Sequence, residues 1–237
     1  KDAGPLWTDP TKAAAEHLDF LIQGEYTGKQ DGATVGVQAA DIDEGKFLVS
    51  VYRGGLPGDG WDKSEIDARI LSRDELKTLA QGMKRVERKS SSQGRKALKG
   101  AIVVFAGKAN ENVKGKIEDD LLWAGARTAN PVGSFTMHLE FRLPFKPSRM
   151  PSSQDRGNSG IYIFNSYECQ VLDSFALDLV EENNPFKTQS RNNQWCGSFY
   201  KFKTPDVHMA FPPLRWQTYD IDFTAPAFEG DKKVKNA

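Results

Sequence analysis

Tyr167-Glu168-Cys169-Gln170-Val171-Leu172-Asp173 alternates in side-chain character with a period of two. As a β-strand it sends Glu168, Gln170 and Leu172 to one face and Tyr167, Cys169 and Val171 to the other. The second face is apolar and is expected to lie against a core, which leaves a carboxylate and an amide side by side on the first. A bulge near Leu172 would bring Asp173 round to join them. A polar row on a concave sheet suits a sugar, because parallel polar side chains match rows of hydroxyls. A hydrated outer face would carry the same pattern.

Upstream, Asp155-Arg156-Gly157-Asn158-Ser159-Gly160 reads as an irregular loop leading into a strand from Ile161 to Phe164, with glycines that permit tight backbone geometry. Such a loop can aim Arg156 and Asn158 at a ligand. An arginine near Glu168 would clamp an oxyanion or merely neutralise the carboxylate, and the residues leave both open. In Met137-His138-Leu139-Glu140-Phe141-Arg142 the alternation groups His138, Glu140 and Arg142 against a core face of Met137, Leu139 and Phe141. That polar trio is either a set of site helpers or a solvent-facing ladder of ion pairs. In the run from Trp216 to Phe223 the core face is Tyr219, Ile221 and Phe223, leaving Trp216 to pack at an edge or stack on a sugar. Trp195 and His208 fall in loops and could line a cleft.

Short runs recur through this part of the chain: Ala101 to Phe105, Phe135 to Leu143, Gly160 to Phe164, Tyr167 to Leu172 and Trp216 to Phe223. Turn residues separate them and no strong helical pattern intervenes, so a mainly β, antiparallel sandwich is expected. The preceding part has extended runs at Gly36 to Ala39 and Lys46 to Tyr52, then dense turn chemistry in Gly54-Gly55-Leu56-Pro57-Gly58-Asp59-Gly60, which predicts a small β-rich N-terminal unit. Leu76, Leu79, Met83 and Val86 have near-helical spacing between Arg73 and Lys89, predicting a helix there, with a strand as the alternative. Ser90-Ser91-Ser92-Gln93-Gly94-Arg95-Lys96 has the composition of a linker, so the chain divides into 1–96 and 97–237.

The 237 residues are 38% hydrophobic, enough for a sizeable core, and 32 Lys and Arg balance 32 Asp and Glu. No global field recruits nucleic acid or an anionic membrane. The basic cluster from Lys77 to Lys116 lacks interleaved aromatics and has Glu75, Glu87, Glu111 and Glu118 within or beside it, so it reads as a solvated face. No window reaches the roughly 18 apolar residues of a membrane span. Cys169 and Cys196 are either a sparse disulfide or two thiols. The start at Lys1, without an apolar leader, fits a mature exported protein or a chain whose leader has been removed. The polar ending Glu229 to Ala237 follows a strand directly, where a sandwich would add more strands, and suggests a C-terminally incomplete domain.

Arg156-Gly157-Asn158-Ser159-Gly160-Ile161-Tyr162, Tyr167-Glu168-Cys169-Gln170-Val171-Leu172-Asp173-Ser174, Cys196-Gly197 and Trp216-Gln217-Thr218-Tyr219-Asp220 together resemble the 3-keto-disaccharide hydrolase domain family. Thr136 to Pro144 resembles that family's early strand, and the resemblance spans about Ala101 to Ala237. It implies a concanavalin-like jelly-roll β-sandwich, an exported bacterial setting, and action on glycosides oxidised at the sugar's third carbon. Where the family motif has an aliphatic residue this chain has Cys169, and family members continue past a point like Asn236-Ala237.

Sandwich glucanases carry Glu-x-Asp-x-x-Glu on a bulged strand, and here the same offsets hold Glu168, Gln170 and Asp173. Paired carboxylates at about 5 to 5.5 Å for retention or about 6.5 to 9.5 Å for inversion are thus weakly represented. A 3-keto sugar needs less, because the ketone acidifies the proton on carbon two and one base can start an elimination. The expected catalytic set is Glu168 as that base or its acid partner, Arg156 as enolate stabiliser and Asp173. The expected binding set is Asn158, Gln170, Glu140, His138, Tyr162 and Trp216. No compact metal-spacing motif is present, although a divalent cation could share the enolate charge through Glu168, Asp173 and Glu140. The alternative is a non-catalytic, lectin-like carbohydrate-binding module, because the fold alone does not decide function. Either way the expected partner is a carbohydrate or glycoside.

Overall fold

The computed structural model describes residues 4–235, so expectations that turn on Lys1 or on Asn236-Ala237 lie outside it. The protein is mainly β, with antiparallel strands in open sheets compatible with a sandwich, and little helix. Two compact units interleave along the chain. One joins the residues up to Lys89 with Arg142–Trp216; the other joins Ser90–Phe141 with the residues from Gln217 onward.

The first unit opens with helix α1 (Pro10–Glu16), capped by the Asp9 carboxylate, which accepts from the amides of Thr11 and Lys12. A short 3-10 turn (Leu18–Leu21) follows. Strands β1 (Gly24–Gln30), β2 (Ala33–Asp41), β3 (Lys46–Arg53), β4 (Asp67–Ser72) and β5 (Lys84–Val86) form an antiparallel sheet in the order β4-β3-β2-β1-β5. The runs expected to be extended, Gly36 to Ala39 and Lys46 to Tyr52, lie in β2 and β3.

Helix α2 (Arg73–Leu79) begins with a reciprocal capping box of Ser72 and Glu75 and buries Leu76. The helix expected through Lys89 stops at Leu79. Gly82 takes a left-handed φ of +78°, and the chain turns back as β5 to pair with β1, Glu25 opposite Val86. Met83 and Val86 therefore belong to that return, not to a helical stripe.

The central strands are buried on both faces. Val37, Ala39, Phe47, Val49 and Val51 form one core with Tyr26 and Leu76. Ala40 and Leu48 face the other way and form a second core with Leu172, Phe175, Ala176, Leu177 and Trp195. Ser50 donates to the Ala176 carbonyl at 2.7 Å within that contact. A boundary at residue 96 follows the linker-like composition but not the cores, since strands β2 and β3 share a core with residues more than 120 positions later. Two-sided burial demanded a cover that the N-terminal segment alone lacked.

In the same unit β11 (Asn158–Ile163) and β12 (Tyr167–Leu172) form an antiparallel hairpin. In the second unit, β6 (Val113–Lys114) pairs with β9 (Arg127–Thr128) around an inner pair of β7 (Ile117–Glu118) and β8 (Leu121–Leu122). Strand β10 (Phe135–Arg142) pairs with β13 (Trp216–Phe223), and β14 (Ala227–Glu229) with β15 (Lys232–Lys235). The strand expected from Ala101 to Phe105 is irregular, with Ile102 and Val103 exposed: an apolar run without alternation carries no face for a sheet to bury. The Ser90–Lys96 stretch is a docked loop. Ser90 and Ser92 hydroxyls meet Thr218 Oγ1 at 2.5 and 3.0 Å, the Gly94 amide donates to Glu140 at 2.5 Å, and Arg95 pairs with Asp220 at 3.0 Å.

Candidate active site

The hairpin keeps unbroken register. Tyr162 lies opposite Glu168, Gly160 opposite Gln170 and Asn158 opposite Leu172, so these six residues share one face. No bulge intervenes at Leu172, and beyond it the Asp173 amide continues the pairing by donating to the Gly157 carbonyl at 3.0 Å. Burial follows position along β12 more than face: Tyr167, Glu168 and Cys169 are half-buried, whereas Gln170, Val171 and Leu172 are buried. One end of the hairpin is driven into the core and the other projects, with Tyr162 64% and Phe164 50% exposed. Glu168 sits where the two regimes meet.

A segment from Cys196 to Tyr200 runs along the free edge of β12. The Gln170 amide donates to the Ser198 carbonyl at 2.9 Å, the Gly197 amide to the Gln170 carbonyl at 3.1 Å, and the Tyr200 amide to the Glu168 carbonyl at 2.9 Å. This brings in two residues that the sequence did not single out. The Gln194 amide donates to the Tyr200 hydroxyl at 2.7 Å, and Gln170 Nε2 donates to Asn158 Oδ1 at 3.3 Å and to the Gln194 carbonyl at 3.1 Å. Asn158, Gln170, Gln194 and Tyr200 thus form a linked amide and hydroxyl network beside Glu168. Gln194 and Tyr200 carry no local motif, and only the long-range pairing places them.

Glu168 lies opposite Tyr162 across the hairpin. By accepting its hydrogen bond the carboxylate pushes the phenol above its ordinary value. Burial pushes up the thiol of neighbouring Cys169 as well, with the Glu168 charge adding to it. No disulfide joins Cys169 and Cys196.

Arg156 and Asp173 are placed differently from expectation. Both are buried, and Arg156 Nε donates to Asp173 Oδ2 at 2.8 Å. Its Nη2 donates to the Asp41 carbonyl at 2.8 Å, and its Nη1 to the carbonyls of Lys146 and Pro147 at 3.3 Å and of Arg149. The irregular loop before β11 leaves carbonyls that no sheet satisfies, and the five donors of a guanidinium answer them from one side chain. Arg156 is therefore a cross-link of the first unit and does not lean over Glu168. Gln170 is buried too and supports the network from below instead of projecting beside Glu168. Trp195 and His208, expected to line a cleft, are core residues; His208 is held between Ser174 Oγ at 2.9 Å and the Leu177 carbonyl at 3.1 Å.

Trp216 is half-buried beneath the Arg142 guanidinium, 5.3 Å from its ring centre. In the second unit, His138 Nδ1 meets Asp220 at 2.9 Å and its Nε2 meets Glu140 at 3.3 Å. With Arg95 on Asp220 this is a hydrogen-bonded polar ladder that includes His138 and Glu140 but not Arg142, and hydrogen bonding to Ser92 and His138 holds the Asp220 carboxyl below its usual range. Among the described residues, the side chains close enough to share a metal ion are His17, Asp19 and Asp41, not Glu168, Asp173 and Glu140. There, Arg73 already takes both oxygens of Asp19 at 2.6 and 2.9 Å, and His17 takes Asp41 at 2.6 Å.

Among the described residues no helix is long and apolar enough to cross a membrane. No curated protein matches the chain. A solved structure that it resembles, a glycosyl hydrolase candidate from Parabacteroides distasonis, is 31% identical with a TM-score of 0.45. The match covers 56% of this chain, and the chain spans only 57% of the length of that one. The model of the 3-keto-alpha-glucoside-1,2-lyase-like domain matches residues 76–230, a stretch that contains the whole hairpin and its amide network. On that match, well over half of its length, this chain belongs to the 3-keto-alpha-glucoside-1,2-lyase-like domain family.

Proposed function

We propose that this protein is an enzyme that cleaves the glycosidic bond of 3-keto-glycosides, with Glu168 as the reacting base. The observation that carries this reading is the setting of Glu168. Its carboxylate is half-buried, paired with a phenol instead of a cation, and flanked by hydrogen-bonding amides and hydroxyls on one face of a hairpin. Among the described residues no cation forms a salt bridge with Glu168, whereas Asp173 is spent on Arg156.

In the step proposed, Glu168 removes the proton from carbon two of the sugar, next to the ketone. The electron pair passes through the enolate to form the bond between carbons one and two as the bond from carbon one to the aglycone oxygen breaks. The glutamic acid returns its proton to the departing oxygen, and water adds to the enone to complete a net hydrolysis. Direct displacement by water would give the same products. Stabilising the enolate, the part first expected of Arg156, falls to a neutral donor on the same face, the Asn158 amide, joined by the Tyr162 hydroxyl once Glu168 has taken the proton and released it.

The exposed Tyr162 and Phe164 also suit stacking on a sugar, which favours the second reading, a carbohydrate-binding module without turnover. One experiment separates the two. The protein is incubated with plain and 3-keto glucosides and released aglycone is measured; release from the 3-keto set only is expected. Glu168→Gln is expected to lose that release by about a hundredfold or more while keeping the fold. Full turnover by Glu168→Gln sinks the assignment, and binding without release leaves the lectin-like reading.

A further inference from the structure

Gly160 lies half-buried in the middle of β11, and its φ is outside the left-handed region that demands glycine. Glycine in a strand weakens it by about 0.5 to 1 kcal/mol relative to alanine, and neither a turn nor strain explains its use here. What occupies the missing side chain's space does explain it. A Cβ built on Gly160 would stand 2.1 Å from Glu168 Oε1 and 2.7 Å from both its Cδ and Cγ.

The Glu168 side chain thus does not stand up from its own position. It leans diagonally across the hairpin and lies over Gly160, so that its carboxylate ends between Tyr162 and the pair of Asn158 and Gln170. Every atom a Gly160 Cβ would meet within 4 Å in the three nearest contacts belongs to the movable end of that one side chain. The fold could therefore admit a methyl group cheaply, but only by swinging the carboxylate out of its place.

We propose that Gly160 is a positioning residue: its bare backbone is the seat that holds the Glu168 carboxylate against the Tyr162 hydroxyl. This rests on the reading of Glu168 as the reacting base, but the seat itself can be tested without turnover. The raised phenol of Tyr162 reports the carboxylate beside it.

The test uses the full chain and two readouts. Tyr162 titration is followed by NMR of ring-labelled tyrosine, with Tyr162→Phe identifying the signal, and release of aglycone from a 3-keto-glucoside is followed in parallel. Gly160→Ala is expected to bring the Tyr162 phenol down toward its ordinary value, as Glu168→Gln should, and to lower kcat by about a hundredfold with KM little changed. Its thermal midpoint should stay at or above that of the parent. A lowered phenol in a protein whose parent turns over no 3-keto-glycoside upholds the seat and sinks the reading of function. An unchanged phenol and unchanged kcat in Gly160→Ala overturn the proposal. Should Gly160→Ala fail to fold, the double variant Gly160→Ala with Glu168→Ala decides: folding like Glu168→Ala alone upholds the clash, and failure to fold overturns it.

Discussion

A histidine with no readable partner in the sequence admits two fates, a site residue or a neutral ring in the core, and His208 took the second. The Leu177 carbonyl can only accept, so Nδ1 carries the proton and Nε2 accepts from the Ser174 hydroxyl. Burial pushes the imidazole down to about 4 from an ordinary 6.5. The sign follows: between these values the unfolded chain binds a proton that the folded one refuses. His208 therefore contributes stability in full above about pH 6.5, and this is lost as the pH falls toward 4. At about 1.4 kcal/mol per pH unit the loss reaches about 3 kcal/mol. Denaturant titrations across this range should show His208→Gln lacking that slope, and parallel curves for parent and variant would contradict it. Alternation grouped the side chains of β12 by face, yet it could not say that Arg156, Gln170, Leu172 and Asp173 would be interior. Depth depends on what covers a face, and the cover here comes from residues far off in the chain.

At the scale of elements, the strands with true alternation were legible and the rest was not. The hairpin turn is an example of local chemistry that sequence spacing did not weigh. Ile163 accepts from the Ser166 amide at 3.1 Å, and the two central residues, Phe164 and Asn165, have φ of +53° and +50°. Both lie in the left-handed region, as a type I′ turn requires, and this twist matches that of the flanking strands. Asn165 tolerates the region better than other side chains do. Asn165→Gly is expected to leave stability equal or slightly higher, while Asn165→Val should cost about 1 to 2 kcal/mol. Midpoints of urea unfolding check both, and an unharmed Asn165→Val would argue that the tip is not built on this turn. The helix predicted through Lys89 failed for a related reason. Its apolar spacing continued past Leu79, but the left-handed Gly82 reverses the chain and turns the last apolar residues into a sheet edge.

For the whole molecule, the division at residue 96 was drawn on composition, which marks where a chain is polar and says nothing of which cores its flanks share. Strands β2 and β3 turn Ala40 and Leu48 toward Leu172, Phe175, Leu177 and Trp195, and Arg156 reaches the Asp41 carbonyl, so residues on both sides of that division make one core. A fragment of residues 97–237 would leave those side chains without their sheet. Each large apolar side chain uncovered forfeits about 1.5 to 3 kcal/mol, against a total stability of about 5 to 15 kcal/mol for a domain. Several at once exceed what the remainder can bear. The fragment is therefore expected to lack a cooperative melting transition and near-ultraviolet dichroism, and to bind a hydrophobic dye, while the full chain melts cooperatively. The seat of Glu168 would go with it, because Gln170 and Leu172, on the same strand, take their places from that core. A fragment that melts sharply and cleaves as the full chain does would mean that the hairpin is held by residues 97–237 alone, and that the N-terminal sheet is an attachment to the site and not its foundation.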